Sequence, residues 1–144
     1  MTVDLREHIR WMVTLSPEEE GIPKQEVGNL QTNFAIMAAF TVAVERKLGD
    51  EPTLESIRRL VESIRGTYID SENMPPVQAE AVIRAAYGEK ELRSGIPLAE
   101  LLRIQLDITY GTLQLLSLSK PEYEAYLDEA TELAGELAAR QKND

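Results

Sequence analysis

Few residues of this chain have the type and spacing that catalysis requires. A single histidine, His8, follows Glu7, and three carboxylates lie one helical turn apart at Glu124, Asp128 and Glu132. Carboxylates with this spacing can bind Mg²⁺ and support hydrolysis of a nucleotide when their helix turns them into a bundle. The apolar stripe of this helix lies at other positions, so we expect the three acids to face water. The sequence therefore predicts no catalytic residue, no metal ligand and no cofactor.

Other catalytic classes lack their signatures. A carboxylate-bridged di-iron site requires Glu-x-x-His, and the residue three before His8 is Leu5. The chain contains no cysteine, which excludes thiolate catalysis, disulfides and zinc sites built on cysteine. It also contains no Gly-x-Ser-x-Gly turn and no phosphate-binding glycine loop. A zinc site that combines His8 with two distant carboxylates stays open at this point, although packing beside Trp11 is the commoner role for such a histidine.

The main basic cluster is formed by Arg58, Arg59 and Arg65, in the third predicted helix. A DNA-reading helix-turn-helix needs a turn of three or four residues, whereas about ten residues, including Pro75 and Pro76, follow this helix. The chain also carries a net charge of −10, which repels phosphate. Nucleic acid is therefore an unexpected ligand, and a nucleic-acid-associated regulator is kept as an alternative function.

Negative charge is concentrated near the end of the chain. Between Pro121 and Ala139 there are acids and no base. A run of this kind usually keeps a helix face solvated, and the alternative is a docking surface for a basic partner. The candidate partner-binding acids are Glu122, Asp128, Glu129, Glu132 and Glu136.

A second candidate surface is the segment from Thr67 to Pro75, the longest predicted irregular stretch. It would expose Tyr68, Ile69 and Met74 to a partner unless it folds back on the bundle. Folding back is the commoner fate of a long ordered loop.

Helical periodicity and capping residues divide the chain into its predicted elements. Thr2, Thr53 and Ser119 are candidate N-terminal caps, and Gly49, Gly66 and Gly88 are candidate C-terminal ends. The predicted elements are a helix from Thr2 to about Leu15, a single turn over Ser16–Gly21, and helices from Lys24 or Glu26 to Leu48, Thr53 to Gly66, Val77 to Tyr87, Pro97 to about Leu118, and from Ser119 onward.

The centre of the fold is predicted by the uncharged run from Phe34 to Val44. A helix that is apolar on every side must be covered on every side, and the wide apolar face of the Pro97–Leu118 helix can supply that cover. We expect an all-α fold, an irregular bundle of five to six helices around a central hydrophobic helix pair, as a single domain over residues 1–144. Small residues in the pair, including Gly111, indicate tight internal packing, with a homodimer seam as the alternative.

Location and function are predicted only in general terms. The eleven uncharged residues of the run from Phe34 to Val44 span about 16 Å, too little for a membrane core of about 30 Å, and the N-terminus lacks a secretory pattern, so a cytoplasmic location is expected. The favoured function is an acidic helical module that binds another protein, with a basic protein as the candidate partner that its charge suggests, as adaptors, immunity proteins and antitoxins do. Alternatives are a small-molecule-binding or Mg²⁺-dependent hydrolytic bundle and the nucleic-acid-associated regulator.

Overall fold

A computed structural model of the protein describes residues 5–14 and 30–143. Within these ranges the chain forms α-helices joined by loops and short 3₁₀ turns, and no β-strand. The helices are α1 (Leu5–Thr14), α2 (Leu30–Leu48), α3 (Leu54–Ile64), α4 (Pro76–Ala86), α5 (Leu98–Leu116) and α6 (Lys120–Asn143). The 3₁₀ turns cover Ser71–Asn73 and Lys90–Arg93. The predicted cap at Thr2, the turn over Ser16–Gly21 and the predicted start of the second helix lie outside the described residues.

Local sequence signals set the helix ends where they were predicted. The Thr53 hydroxyl accepts a hydrogen bond of 3.0 Å from the backbone N–H of Ser56. The Ser56 hydroxyl oxygen in turn accepts one of 3.0 Å from the backbone N–H of Thr53. Gly49 ends α2 with a φ of +80°, a conformation that glycine adopts without steric cost. The Ser119–Glu122 capping box also forms, since the Glu122 carboxylate accepts from the Ser119 N–H at 3.0 Å.

The uncharged run in α2 lies at the centre of the bundle, as predicted. One side of it places Phe40 and Val44 in a core cluster with side chains of α3, α4 and α5. The other side places its alanines in a second cluster with α1 and α6. Helix α2 packs against α1, α5 and α6, so the predicted α2–α5 contact forms and α6 covers a further side of α2.

The alanines of α2 make room for a large side chain of α6. Tyr126 is fully buried against them and donates a hydrogen bond of 2.8 Å to the backbone carbonyl of Ala39. Burial raises the pKa of the Tyr126 hydroxyl well above its ordinary value of 10. Because Ala35 and Ala39 are themselves fully buried, this face serves internal packing and is not accessible as a homodimer seam.

Helix α5 differs from its prediction in two ways. Gly111 packs against Ile64 of α3, whereas the sequence suggested close packing in the α2–α5 pair. Asp107, which carries a charge that favours an exposed position, is only 3% exposed and accepts a hydrogen bond of 3.1 Å from Arg103 one turn earlier. The positive charge of the arginine compensates the buried carboxylate. Helical spacing alone did not indicate that this carboxylate is buried.

Candidate functional site: the acidic face of α6

The exposed face of α6 carries only acidic and small residues between positions 121 and 139. Its exposed acids are Glu122, Asp128, Glu129, Glu132 and Glu136. The exposed residues between them are Pro121, Ala125, Gly135 and Ala139. We call this surface the acidic face.

Three of these acids make contacts within the chain. Glu122 caps α6, and the hydrogen bond from the Ser119 backbone N–H lowers the pKa of its carboxyl. Asp128 accepts a hydrogen bond of 2.7 Å from Arg6 Nε, and Glu129 pairs with Arg46 at 3.0 Å. The side chains of Asp128 and Glu129 nevertheless remain 69% and 58% exposed. A partner could therefore still reach both.

The C-terminal half of the acidic face makes fewer contacts with other described side chains. Glu132 and Glu136 lie one turn apart and are both exposed. In the described part of the chain, no lysine, arginine or histidine nitrogen comes within 4 Å of either carboxylate. Gly135 lies between them, and a β-carbon added there would meet no described atom within 4 Å. This half of the face is open to an approaching molecule.

Glu124 has a different role from the one its spacing suggested. It turns towards α1, where two nitrogens of Arg10 each donate to it at 3.0 Å and Arg6 donates as well. These hydrogen bonds, from Arg10 first and then Arg6, lower the pKa of the Glu124 carboxyl to about 2. The predicted line of Glu124, Asp128 and Glu132 is therefore divided, because arginines already bind its first two members.

The pairing of Glu124 with Arg6 and Arg10 was not predicted from the sequence. Arg6 and Arg10 stand four residues apart on α1, and Glu124 and Asp128 have the same separation on α6. Matching spacings of opposite charge were the available signal. It could be used only once α1 and α6 were known to be neighbours.

The Thr67–Pro75 loop folds back on the bundle. Ile69 is 3% exposed and Met74 is fully buried, both within the core cluster around Phe40, while Tyr68 is half-buried. Arg65 Nε donates to the Met74 carbonyl at 2.7 Å, and Arg103 donates to the Asn73 carbonyl at the same distance. These bonds satisfy the loop backbone as its apolar side chains enter the core. Ile69 and Met74 are therefore corrected from candidate partner contacts to core residues.

The arginines of the basic cluster of α3 also form ion pairs or hydrogen bonds within the chain. Arg59 pairs at 2.8 Å with Glu55, which lies four residues earlier on the same helix. Arg58 pairs with Glu80 of α4 at 3.0 Å. With Arg65 bonded to the loop, each of the three arginines contacts carboxylates or carbonyls, an arrangement that does not favour a phosphate-binding surface.

Neither a metal site nor a membrane span is found in the described residues. No three His, Asp or Glu side chains within residues 5–14 and 30–143 lie close enough together to hold a metal ion. His8 packs beside Trp11, with 5.9 Å between the ring centroids. No helix in these ranges is both long enough and apolar enough to cross a bilayer.

Comparison with known proteins adds no functional information, since no family model, no curated protein and no solved structure matches the chain. The acidic face is consequently assessed on its own geometry.

Proposed function

We propose that this protein is an acidic helical module that binds a basic protein partner through the acidic face of α6. One observation carries the proposal: every exposed residue of α6 from position 121 to position 139 is either acidic, small or proline. A solvated face alone does not require small residues between its acids. A docking surface benefits from them, because they let the backbone of a partner come close to the carboxylates.

Gly135 supports the proposal independently of charge. Glycine within a helix costs about 1 kcal/mol relative to alanine, so its presence at an exposed helical position is unfavourable for the isolated helix. No described atom would meet a β-carbon at this position, so packing within the described chain supplies no reason for the glycine. Contact with a partner would supply one.

The Mg²⁺-dependent alternative has less support from these residues. A metal ion at Glu124 and Asp128 would have to displace the guanidinium groups of Arg6 and Arg10. Glu132 and Glu136 remain, but both are exposed, and Mg²⁺ held by one or two carboxylates usually needs the phosphates of a bound substrate beside them.

Affinity capture with matched variants tests the proposal. The bait is the full chain, incubated in lysate of the source organism at about 0.15 M salt, where only nearby charges interact. Glu132→Gln/Glu136→Gln removes the two open carboxylates. Glu51→Gln/Glu62→Gln removes two exposed acids elsewhere and serves as the control for net charge.

We expect a basic protein that wild type and the control variant both retain, and that the α6 variant retains about tenfold less. That factor corresponds to the loss of two ion pairs of about 0.7 kcal/mol each. Equal retention by all three baits would exclude the acidic face as the binding surface. The hydrolytic alternative would be favoured if Mg²⁺ and nucleotide raised the melting temperature of the wild type and did not raise that of Glu132→Gln/Glu136→Gln.

A further inference from the structure

Helix α1 lies on the rest of the bundle in the way that a bound helical peptide lies in a groove. Its apolar residues Ile9, Met12 and Val13 follow the i, i+3, i+4 spacing of helix-in-groove anchors and are all nearly or completely buried. They enter a core cluster formed with α2, α5 and α6. We call the surface of α2, α5 and α6 that α1 contacts the α1 groove.

Charged contacts form the rim of the α1 groove. Arg6 and Arg10 reach Glu124 and Asp128 on its α6 side, and the bidentate Arg10–Glu124 contact is the geometry in which arginine recognises a carboxylate best. Arg10 also stands 5.9 Å from the centre of the Tyr123 ring. An apolar centre with a polar rim is also the anatomy of an interface between two proteins, where arginine is an enriched residue.

The α1 groove is continuous with the acidic face. Asp128 belongs to both surfaces, and the open carboxylates Glu132 and Glu136 repeat, further along α6, the four-residue spacing of Glu124 and Asp128. A basic helix bound along α6 would therefore meet Arg6 and Arg10 as competitors for the same carboxylates.

We infer that the α1 groove recognises an amphipathic helix carrying two arginines four residues apart, and that α1 occupies it within the chain as an internal competitor for a partner helix of that chemistry. This inference rests on the proposed function and specifies the partner as an arginine-bearing helix. Because α1 belongs to the same chain as the groove, its binding is intramolecular, and a separate partner displaces it only by binding more tightly.

A peptide with the chain's own α1 sequence is the probe. A fluorescent peptide of residues 1–15 is titrated with full-length protein, and anisotropy reports binding. Arg6→Gln/Arg10→Gln in the protein weakens the internal competitor without adding repulsion. Arg58→Gln/Arg59→Gln, which removes two arginines of α3, is the matched control.

We expect the Arg6→Gln/Arg10→Gln protein to bind the peptide at least about tenfold more tightly than wild type or the α3 control, because the tethered helix no longer holds Glu124. Adding Glu124→Gln to that protein should reverse the gain, and a peptide with both arginines replaced by glutamine should not bind. If circular dichroism shows that the double variant is unfolded, Arg10→Gln alone should give a smaller gain with the same dependence on Glu124.

The inference is overturned if no variant binds the peptide, or if binding is independent of Glu124. The result is separate from the capture experiment, since the peptide reports the α1 groove and the Glu132/Glu136 variant reports the open half of the acidic face. Loss of capture specificity together with intact peptide binding would refute the proposed function and retain the groove.

Discussion

Gly111 of α5 and Ile64 of α3 approach so closely that no side chain fits between them. A β-carbon at position 111 would lie 2.6 Å from Cγ2 and 2.7 Å from Cγ1 of Ile64, which is itself fully buried. Real β-carbons essentially never come this near to another heavy atom. The contact fixes how closely α3 and α5 cross.

Gly111→Ala should therefore destabilise the protein. Overpacking of a core costs about 1–3 kcal/mol, and the better helix propensity of alanine returns about 1 kcal/mol, so we expect a net loss of up to about 2 kcal/mol in a urea unfolding experiment. Ile64→Ala removes both of the nearest atoms. The double variant should lose less stability than the sum of the losses of the two single variants. A loss equal to that sum would show that the two residues are not in close contact.

Gly135→Ala should have the opposite effect. Position 135 is exposed and open, so only the helix propensity changes, and we expect a gain of about 0.5–1 kcal/mol in the free energy of unfolding. The same urea experiment measures it beside Gly111→Ala. A loss of stability would mean that Gly135 has a packing role within the chain.

Phe40→Ala should produce a large cavity in the core around α2. Phe40 is 1% exposed, and truncation of a buried phenylalanine costs about 3–5 kcal/mol. Glu129→Ala, on the acidic face, should cost well under 1 kcal/mol because its pair with Arg46 is largely exposed to solvent. Thermal melts compare the two variants, and similar melting temperatures would contradict the central position of α2.

Glu124 should make part of the stability depend on acid pH. Its pKa is about 2 in the folded chain against an ordinary value of 4.5, so the unfolded state takes up the proton first as pH falls. The stabilisation by Glu124 is thus complete above about pH 5 and is lost as pH falls through 4.5 towards 2. The difference in free energy of unfolding between wild type and Glu124→Gln should shrink from pH 6 to pH 3.

Glu132→Gln is the control for this pH dependence, since no cation of the described chain lies near that carboxylate. Its difference from wild type should stay nearly constant over the same pH range. A Glu124→Gln difference that is equally flat would show that the contacts to Arg6 and Arg10 do not persist in solution.

Helix ends could be predicted because their causes are local. Thr53 and Ser119 each satisfy backbone donors within three residues, and Gly49 adopts a conformation that few other residues tolerate. The central position of α2 could be predicted for a related reason, because an uncharged helix is stable only where its neighbours cover it.

The candidate site could be predicted only in part. The run of acids in α6 is a property of the sequence, and helical periodicity places most of them on one exposed face. Ile69 and Met74 are buried because the loop packs on the core cluster, and Arg65 and Arg103 satisfy its carbonyls there. Sequence spacing carries no information on such distant contacts.

The sequence by itself determined that this protein is a helical bundle with α2 at its centre and an acidic last helix, since periodicity, caps and charge act over a few residues. Only the tertiary structure decided which acids are already bound. Glu124 and Arg10 are 114 residues apart in the chain, and their contact exists because the apolar faces of α1 and α6 pack together. Hydrophobic burial brings such charges together, and short-range electrostatics then selects the carboxylates that stay open to a partner.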